Sequence, residues 1–274
     1  MSIKYAKIIT VKLGGSAMDE EKVIHQLAED ISFLLKKKIG FIIVHGGGKE
    51  ISREMEAKGI TPKKIAGLRV TDDATMTIVE RAMKKINSQI CEIVEKYGVP
   101  ASPVMGASGL LLCERLPPAS SIEAGIAEKV DLGRVGKVIK VNAKHLKDLI
   151  GKGAVPIVAP YGIDAKGITL NVNADSAAGS IAGACSDEFV LLTDVDGILI
   201  NVSGKSMIQK MLSVTDVQRL MRDGVLREGM IPKAEACMNA LASGVKRARI
   251  VNGLKDHPLM AAFSDESLGT TIVR

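Results

Sequence analysis

The sequence predicts an α/β fold: a three-layer α/β/α sandwich around a largely parallel central sheet. Three observations carry that prediction. Two short β-branched apolar runs, residues 8–11 and 41–44, each stop at glycines, Gly14-Gly15 and Gly46-Gly47-Gly48, and each leads into a segment of helical period. Strand, glycine turn and helix, repeated in that order, call for parallel strands joined by right-handed crossovers. The later runs 155–159, 189–192 and 249–251 are also short and continuous, as strands buried on both faces are. Finally, 274 residues without a linker-like or low-complexity stretch suit a single domain. Within it an N-terminal lobe would cover about 1–170 and a C-terminal lobe about 171–274.

The elements follow from local pattern. After the first turn Val23, Leu27, Ile31, Leu34 and Leu35 recur at helical spacing, and Asp19, Glu20 and Glu21 favour the positive end of that helix. A helix over about 49–58 follows the second strand. A longer one spans about 73–97, with Met76, Val79, Met83, Ile86 and Ile90 on one face. Residues 102–141, broken by Pro103, Pro117 and Pro118, read as hairpins and loops at the sheet edge. Asn142 caps a helix reaching about 152, and 175–184 is a helix of small residues that can pack closely. Further helices fall at 215–223, 232–243 and 258–263, with Pro232 at a first-turn position that helices tolerate. A last strand covers 270–273.

Composition removes several classes. With 46% hydrophobic and 25% charged residues, the chain is not disordered. The formal charge of +6 is spread along the chain, without the stripe or arm of a nucleic-acid binder, and aromatics at 3% leave few rings for stacking bases. Cys91, Cys113, Cys185 and Cys237 form no C-x-x-C pair and read as buried free thiols, which suits a reducing cytosol. No apolar run approaches the ~18 residues that span a membrane. A soluble cytoplasmic protein is expected.

Chemistry collects at strand ends. The carboxyl edge of an open parallel sheet is where ligands bind, and both glycine turns lie there. Glycine lets backbone N–H groups approach a phosphate at a helix N-terminus. Neither turn is G-x-x-x-x-G-K-[ST] nor G-x-G-x-x-G. Lys12, in the apolar run Val11-Lys12-Leu13, would place a cation in the same crevice, although a strand-end lysine can also snorkel to solvent. Lys233 sits in the first turn of its helix, where a cation is unfavourable unless an anion is near. Asp175 has a plainer use as a helix cap, and Asp194 and Asp196 as turn residues before Gly197. His45 reads as a packed strand-end histidine.

Six segments in order carry a resemblance: Lys12-Leu13-Gly14-Gly15-Ser16-Ala17-Met18, Val44-His45-Gly46-Gly47-Gly48, Gly67-Leu68-Arg69-Val70-Thr71-Asp72, Asn171-Val172-Asn173-Ala174-Asp175, Leu192-Thr193-Asp194-Val195-Asp196-Gly197-Ile198 and Gly229-Met230-Ile231-Pro232-Lys233. The tail Leu268-Gly269-Thr270 fits as well. The chain resembles the amino-acid kinase family, and within it the members that phosphorylate the side-chain carboxylate of N-acetyl-L-glutamate in arginine biosynthesis. That resemblance implies an amino-acid kinase fold and transfer of a phosphoryl group from ATP, with Mg2+ carried on the nucleotide and no resident metal. It implies Lys12, Lys233 and Asp175 as catalytic residues, the lysines neutralising phosphates and Asp175 orienting them. Gly47, Gly48, Arg69 and Asn171 would bind the acceptor, Arg69 by forking a carboxylate. Lys12, Gly14, Gly15, Asp194, Val195, Asp196, Gly197, Ile198, Leu199, Val225, Leu226, Arg227 and Lys233 would bind nucleotide.

The resemblance leaves two alternatives open. A relative that acts on glutamate or aminoadipate attached to an acidic carrier protein shares almost all of these motifs, and the basic net charge favours it. A catalytically silent nucleotide-binding storage or regulatory protein would have no need of Lys12, Asp175 and Lys233 together. The members acting on N-acetyl-L-glutamate usually carry Ser-Gly-Lys-Asp-Gly or similar in the acceptor-side hairpin, where this chain has Gly106-Ala107-Ser108-Gly109. Arginine-inhibited relatives form hexamers through an extra helix ahead of the first strand. Here that strand begins by about residue 8, and a homodimer insensitive to arginine is expected.

Overall fold

A computed structural model describes residues 3–14, 18, 20–123, 126–202, 205–226, 229–264 and 268–274, without the side chains of 121–123, 126, 127 and 202. The N-terminal half runs β1 (Lys7–Leu13), α1 (Glu21–Lys36), β2 (Ile39–His45), α2 (Gly48–Glu56), β3 (Lys64–Ile65), β4 (Leu68–Arg69) and α3 (Asp73–Lys96). It continues through β5 (Ala101–Met105), β6 (Leu111–Arg115), β7 (Ala119–Glu123), β8 (Ile126–Val130), β9 (Val135–Val141), α4 (Ala143–Gly151), β10 (Val155–Ala159), β11 (Tyr161–Ile163) and β12 (Thr169–Val172). The rest is α5 (Ala174–Cys185), β13 (Glu188–Thr193), β14 (Leu199–Val202), β15 (Lys205–Ile208), β16 (Met211–Ser213), α6 (Val214–Arg222), α7 (Ile231–Ala242), β17 (Arg247–Asn252), α8 (Pro258–Ser264) and β18 (Thr270–Val273).

Eight strands form the central sheet in the order β16-β18-β17-β13-β1-β2-β10-β5. From β17 to β5 every pairing is parallel; β18 runs antiparallel to β17 and carries β16 parallel to itself. The sheet is buried on both faces because successive residues serve opposite layers. Phe41 and Ile43 pack with α1 and α3, while Ile42 and Val44 pack with α4 and α5. Three-layer α/β/α architecture with a largely parallel sheet is the result.

The 102–141 stretch differs from its expected hairpins and loops. β5 lies at the expected sheet edge but as a strand of the central sheet, and β6 and β9 close with β11 and β12 into a small barrel. β7 and β8 do form a separate hairpin. The barrel exists because Ile163 of β11 meets Leu112 of β6, a pairing between residues far apart in the chain. β14 and β15 form a further hairpin not anticipated from the sequence.

The strand order fixes where the site lies. β1 is central, with β2 on one side and β13 on the other. Both glycine turns follow strands whose carboxyl ends lie side by side, Leu13 opposite His45. All four cysteines are buried and free.

Candidate active site

Alternation along β1 sends Val11 and Leu13 toward α1 and leaves Lys12 facing α5. There Lys12 Nζ lies 2.7 Å from Oδ1 of Asp175, both side chains almost wholly buried. A Cβ on Gly14 would fall 1.8 Å from Lys12 Nζ, so the side chain passes over the space that only glycine leaves open. Asp175 is not the cap of α5. Asn173 is, its side chain accepting from the N–H groups of Asp175 and Ser176, and this frees the Asp175 carboxylate for the lysines.

Lys233 completes the set from α7, 3.5 Å from Oδ2 of Asp175, and donates to the Gly229 carbonyl at 3.1 Å. Burial pushes the Asp175 carboxyl up, but Lys12 and then Lys233 outweigh it and hold the group below the ordinary carboxylate range. The carboxylate is therefore ionised between two ammonium groups. α5 and α7 come close enough for this because Gly179 faces α7, where a Cβ would meet the Ala236 carbonyl oxygen at 2.7 Å. Neither α2 nor α7 has a side-chain cap at its first turn; that of α2 keeps its backbone N–H groups for an anion, whereas that of α7 includes Pro232, which has none.

A cleft of about 820 Å³ opens beside this triad, lined among others by Lys12, Gly46, Gly47, Gly48, Arg69, Asn171 and Asp175. Arg69 is buried at the end of the β3–β4 hairpin. Its Nη2 donates to the Gly48 carbonyl and to Ser52 Oγ, both at 2.7 Å, and its Nη1 approaches Met55 Sδ at 3.1 Å. Among the described residues no carboxylate comes within ion-pair distance of it, and the Glu56 carboxylate, which lines the same cleft, acts on it only through space. A buried guanidinium held by neutral acceptors at a cleft is suited to a ligand carboxylate. Asn171 donates to Thr71 Oγ1 at 3.2 Å and lines the same cleft.

The other expected nucleotide residues follow β13, on the opposite side of β1 from this cleft. Asp196 accepts from Asn252 at 2.8 Å, and Gly197 sits against Gly269 and Thr270. Ile198 is fully buried and gives its N–H to Thr270 Oγ1 at 2.8 Å, so it anchors the turn from within. Asp194 stands beside Thr193, whose hydroxyl donates to it at 3.2 Å. Val195, Leu199 and Val225 are exposed and Leu226 is buried. Gly15 and Arg227 lie outside the described residues. The sequence reading missed Asn173, Ser52 and Met55. Asn173 carried a signal as an Asx residue just ahead of a helix. Ser52 and Met55 meet Arg69 only because the hairpin folds over α2.

The chain belongs to the amino acid kinase family, whose model matches residues 7–252. Its relatives include the acetylglutamate kinase of Methanocaldococcus jannaschii, 40% identical over 98% of this chain and 91% of that one. That of Methanoculleus marisnigri is 38% identical over 98% and 93%. Among solved structures, N-acetylglutamate synthase from Neisseria gonorrhoeae, complexed with coenzyme A and N-acetyl-glutamate, matches with TM-score 0.83 at 24% identity. This chain is covered to 98% in that match and spans 60% of the synthase's length. Carbamate kinase from Giardia lamblia bound to AMP-PNP matches with TM-score 0.72 at 17% identity over 100% and 99% of the two chains. At these identities the two structures share the fold.

Proposed function

We propose that the protein transfers the γ-phosphoryl group of ATP to the side-chain carboxylate of N-acetyl-L-glutamate, giving an acyl phosphate and ADP in arginine biosynthesis. The observation that carries this is the Lys12–Asp175–Lys233 set beside a cleft lined by a buried Arg69 whose guanidinium is hydrogen-bonded by neutral acceptors. The 40% identity to acetylglutamate kinases supports the choice of acceptor.

The chemistry suits these groups. A side-chain carboxylate, with a reference pKa near ~4.3, is already ionised at neutral pH, so no general base is needed. The obstacle is one anion approaching another, and catalysis is positioning and charge neutralisation. A carboxylate oxygen attacks the γ-phosphorus while the bond to the β-phosphate oxygen breaks and ADP leaves. Lys12 and Lys233 neutralise the transferring and leaving phosphates, and Asp175 holds both ammonium groups in place. The Gly47 and Gly48 amides donate to the anion above the first turn of α2. Arg69 forks the acceptor's other carboxylate, and Asn171 hydrogen-bonds the same molecule. The lobe over about 171–274 takes ATP through 194–199 and 225–227, and Gly14 and Gly15 approach the phosphates. The donor set facing the phosphates is ammonium and amide, which pairs with phosphate oxygens and leaves Mg2+ to arrive on the nucleotide. The enzyme works as a cytoplasmic homodimer.

A coupled assay of ADP release tests the acceptor, with N-acetyl-L-glutamate, free glutamate and a carrier-linked glutamate compared. Turnover confined to N-acetyl-L-glutamate is expected, and none with it would refute the assignment. The carrier-linked reading keeps one supporting observation, the net charge of +6. It predicts rates that fall steeply with added salt, whereas a free small acceptor should show a mild effect.

A further inference from the structure

The turn after β2 is held from inside the fold by side chains that no step above employs. His45 ends β2 fully buried. Its Nδ1 lies 2.7 Å from the Gly46 carbonyl oxygen, and its Nε2 lies 3.1 Å from Nδ2 of Asn87 on α3. A carbonyl only accepts, so Nδ1 carries the ring proton and Nε2 accepts from the Asn87 amide. Asn87 is fixed in turn. Its Nδ2 also donates to the Ile157 carbonyl at 2.8 Å, and its Oδ1 faces the Cys91 thiol at 3.9 Å. The relay runs one way, from Asn87 through a neutral imidazole to Gly46. Burial keeps the ring neutral, with a pKa lowered to about 4.

The consequence lies across one peptide plane. The chain has no cis peptide bond among the described residues, and in a trans peptide the C=O and the following N–H point in opposite directions. With the Gly46 carbonyl drawn to the His45 ring, the Gly47 N–H is turned away from the ring, at a turn whose Gly46 and Gly47 both line the cleft. That N–H has no partner among the described residues, whereas the Gly46 N–H is taken by the Leu13 carbonyl at 2.9 Å.

We propose that His45 and Asn87 are positioning residues for phosphoryl transfer, holding the Gly47 N–H as a preorganised donor to the transferring group. The proposal rests on the kinase reading above. A pinned amide needs no reorganisation as charge develops on the phosphoryl oxygens, whereas a freely rocking glycine peptide does.

The test uses substitutions that separate donation from packing. His45→Phe fills the ring's space without a donor. His45→Asn sets an amide N–H near the position of Nδ1. The expected result is a fall in kcat of about 10²-fold for His45→Phe, with acceptor KM changed by less than about threefold. His45→Asn should recover at least about tenfold of that loss. Calorimetry supplies a readout that needs no acceptor: the preference for AMP-PNP over ADP should shrink in His45→Phe. Melting curves establish that each variant is folded, and Asn87→Leu gives the same comparison if His45→Phe does not fold. Wild-type kcat in a folded His45→Phe, or an Asn variant as slow as the Phe variant, would overturn the proposal. Failure of N-acetyl-L-glutamate as acceptor would sink the acceptor assignment instead, and the AMP-PNP comparison would still decide the relay.

Discussion

Lys12 and Lys233 share one carboxylate, and under the proposed mechanism each therefore has two duties, to neutralise phosphate and to keep the other in place through Asp175. Lys12→Ala and Lys233→Ala should each lower kcat by about 10²–10³-fold while circular dichroism stays native, because Asp175 keeps one partner in either variant. Under the same proposal Arg69 acts on recognition. A fork on the acceptor carboxylate is present in ground and transition states alike, so Arg69→Ala should raise acceptor KM more than it lowers kcat and leave the ATP KM unchanged. Arg69→Lys should not rescue, because an ammonium lacks two parallel donors in one plane. Initial-rate kinetics in both substrates check this, and an unchanged acceptor KM would place the acceptor elsewhere. His45 sets a pH dependence. Its folded pKa, about 4, lies below the ~6.5 of an unfolded histidine, so the unfolded chain binds the extra proton. The stability is fully present above about pH 6.5 and is lost as pH falls toward 4, by about 3 kcal/mol at most. Urea unfolding at about pH 7 and about pH 5 should show the loss, and His45→Asn should remove that part of the slope.

Two helices fix the distance across the Lys12–Asp175–Lys233 set. α5 brings Asp175 and α7 brings Lys233, and Gly179 lets the two backbones meet. Gly179→Ala puts a methyl 2.7 Å from the Ala236 oxygen, so α7 must shift. The expected cost is about 1–3 kcal/mol, read as a lower Tm, together with a fall in kcat as Lys233 leaves Asp175. Wild-type values of both would show that the helices can part without disturbing the site. The helix of small residues was legible in the sequence, since Ala and Gly at so many positions leave close packing as its use. β1, β2, β10 and β13 were legible for a similar reason, each being an apolar run that punctuation ends. The strands of 101–141 were not. Their short segments carry little period of their own, and β6 is defined by β9 and β11, which local pattern does not reveal. In the site, Lys12 stood out as a charge inside an apolar run. The division of labour between Asn173 and Asp175 did not, because two Asx residues at one helix start look equally able to cap it. Arg69 was legible through its motif, but its hold on Gly48 and Ser52 depends on a hairpin crossing a helix.

Across the whole molecule, thiol chemistry should be silent. Burial pushes Cys91 up to about 12 and Cys113 and Cys185 up to about 11, and it raises Cys237 further. The thiolate is the reactive form, so iodoacetamide should label the native protein negligibly and all four cysteines after unfolding, as mass spectrometry would count. Labelling of a native cysteine would mean that the packing around it opens. The central place of β1 has a further consequence, in the order of synthesis. Its neighbour β2 emerges soon after it, but its other neighbour is β13, and Thr10 finds Ser186 across 176 residues of chain. A nascent chain that has reached β12 already holds the floor of the cleft, Arg69 and both glycine turns. Lys12 then has no Asp175, and one long edge of β1 is unpaired. An open strand edge is an invitation to wrong partners, and non-local parallel pairing of this kind closes slowly. The centre of the fold is thus completed late in translation, so a ribosome stalled shortly before α5 would display a half-sheet that chaperones must shield.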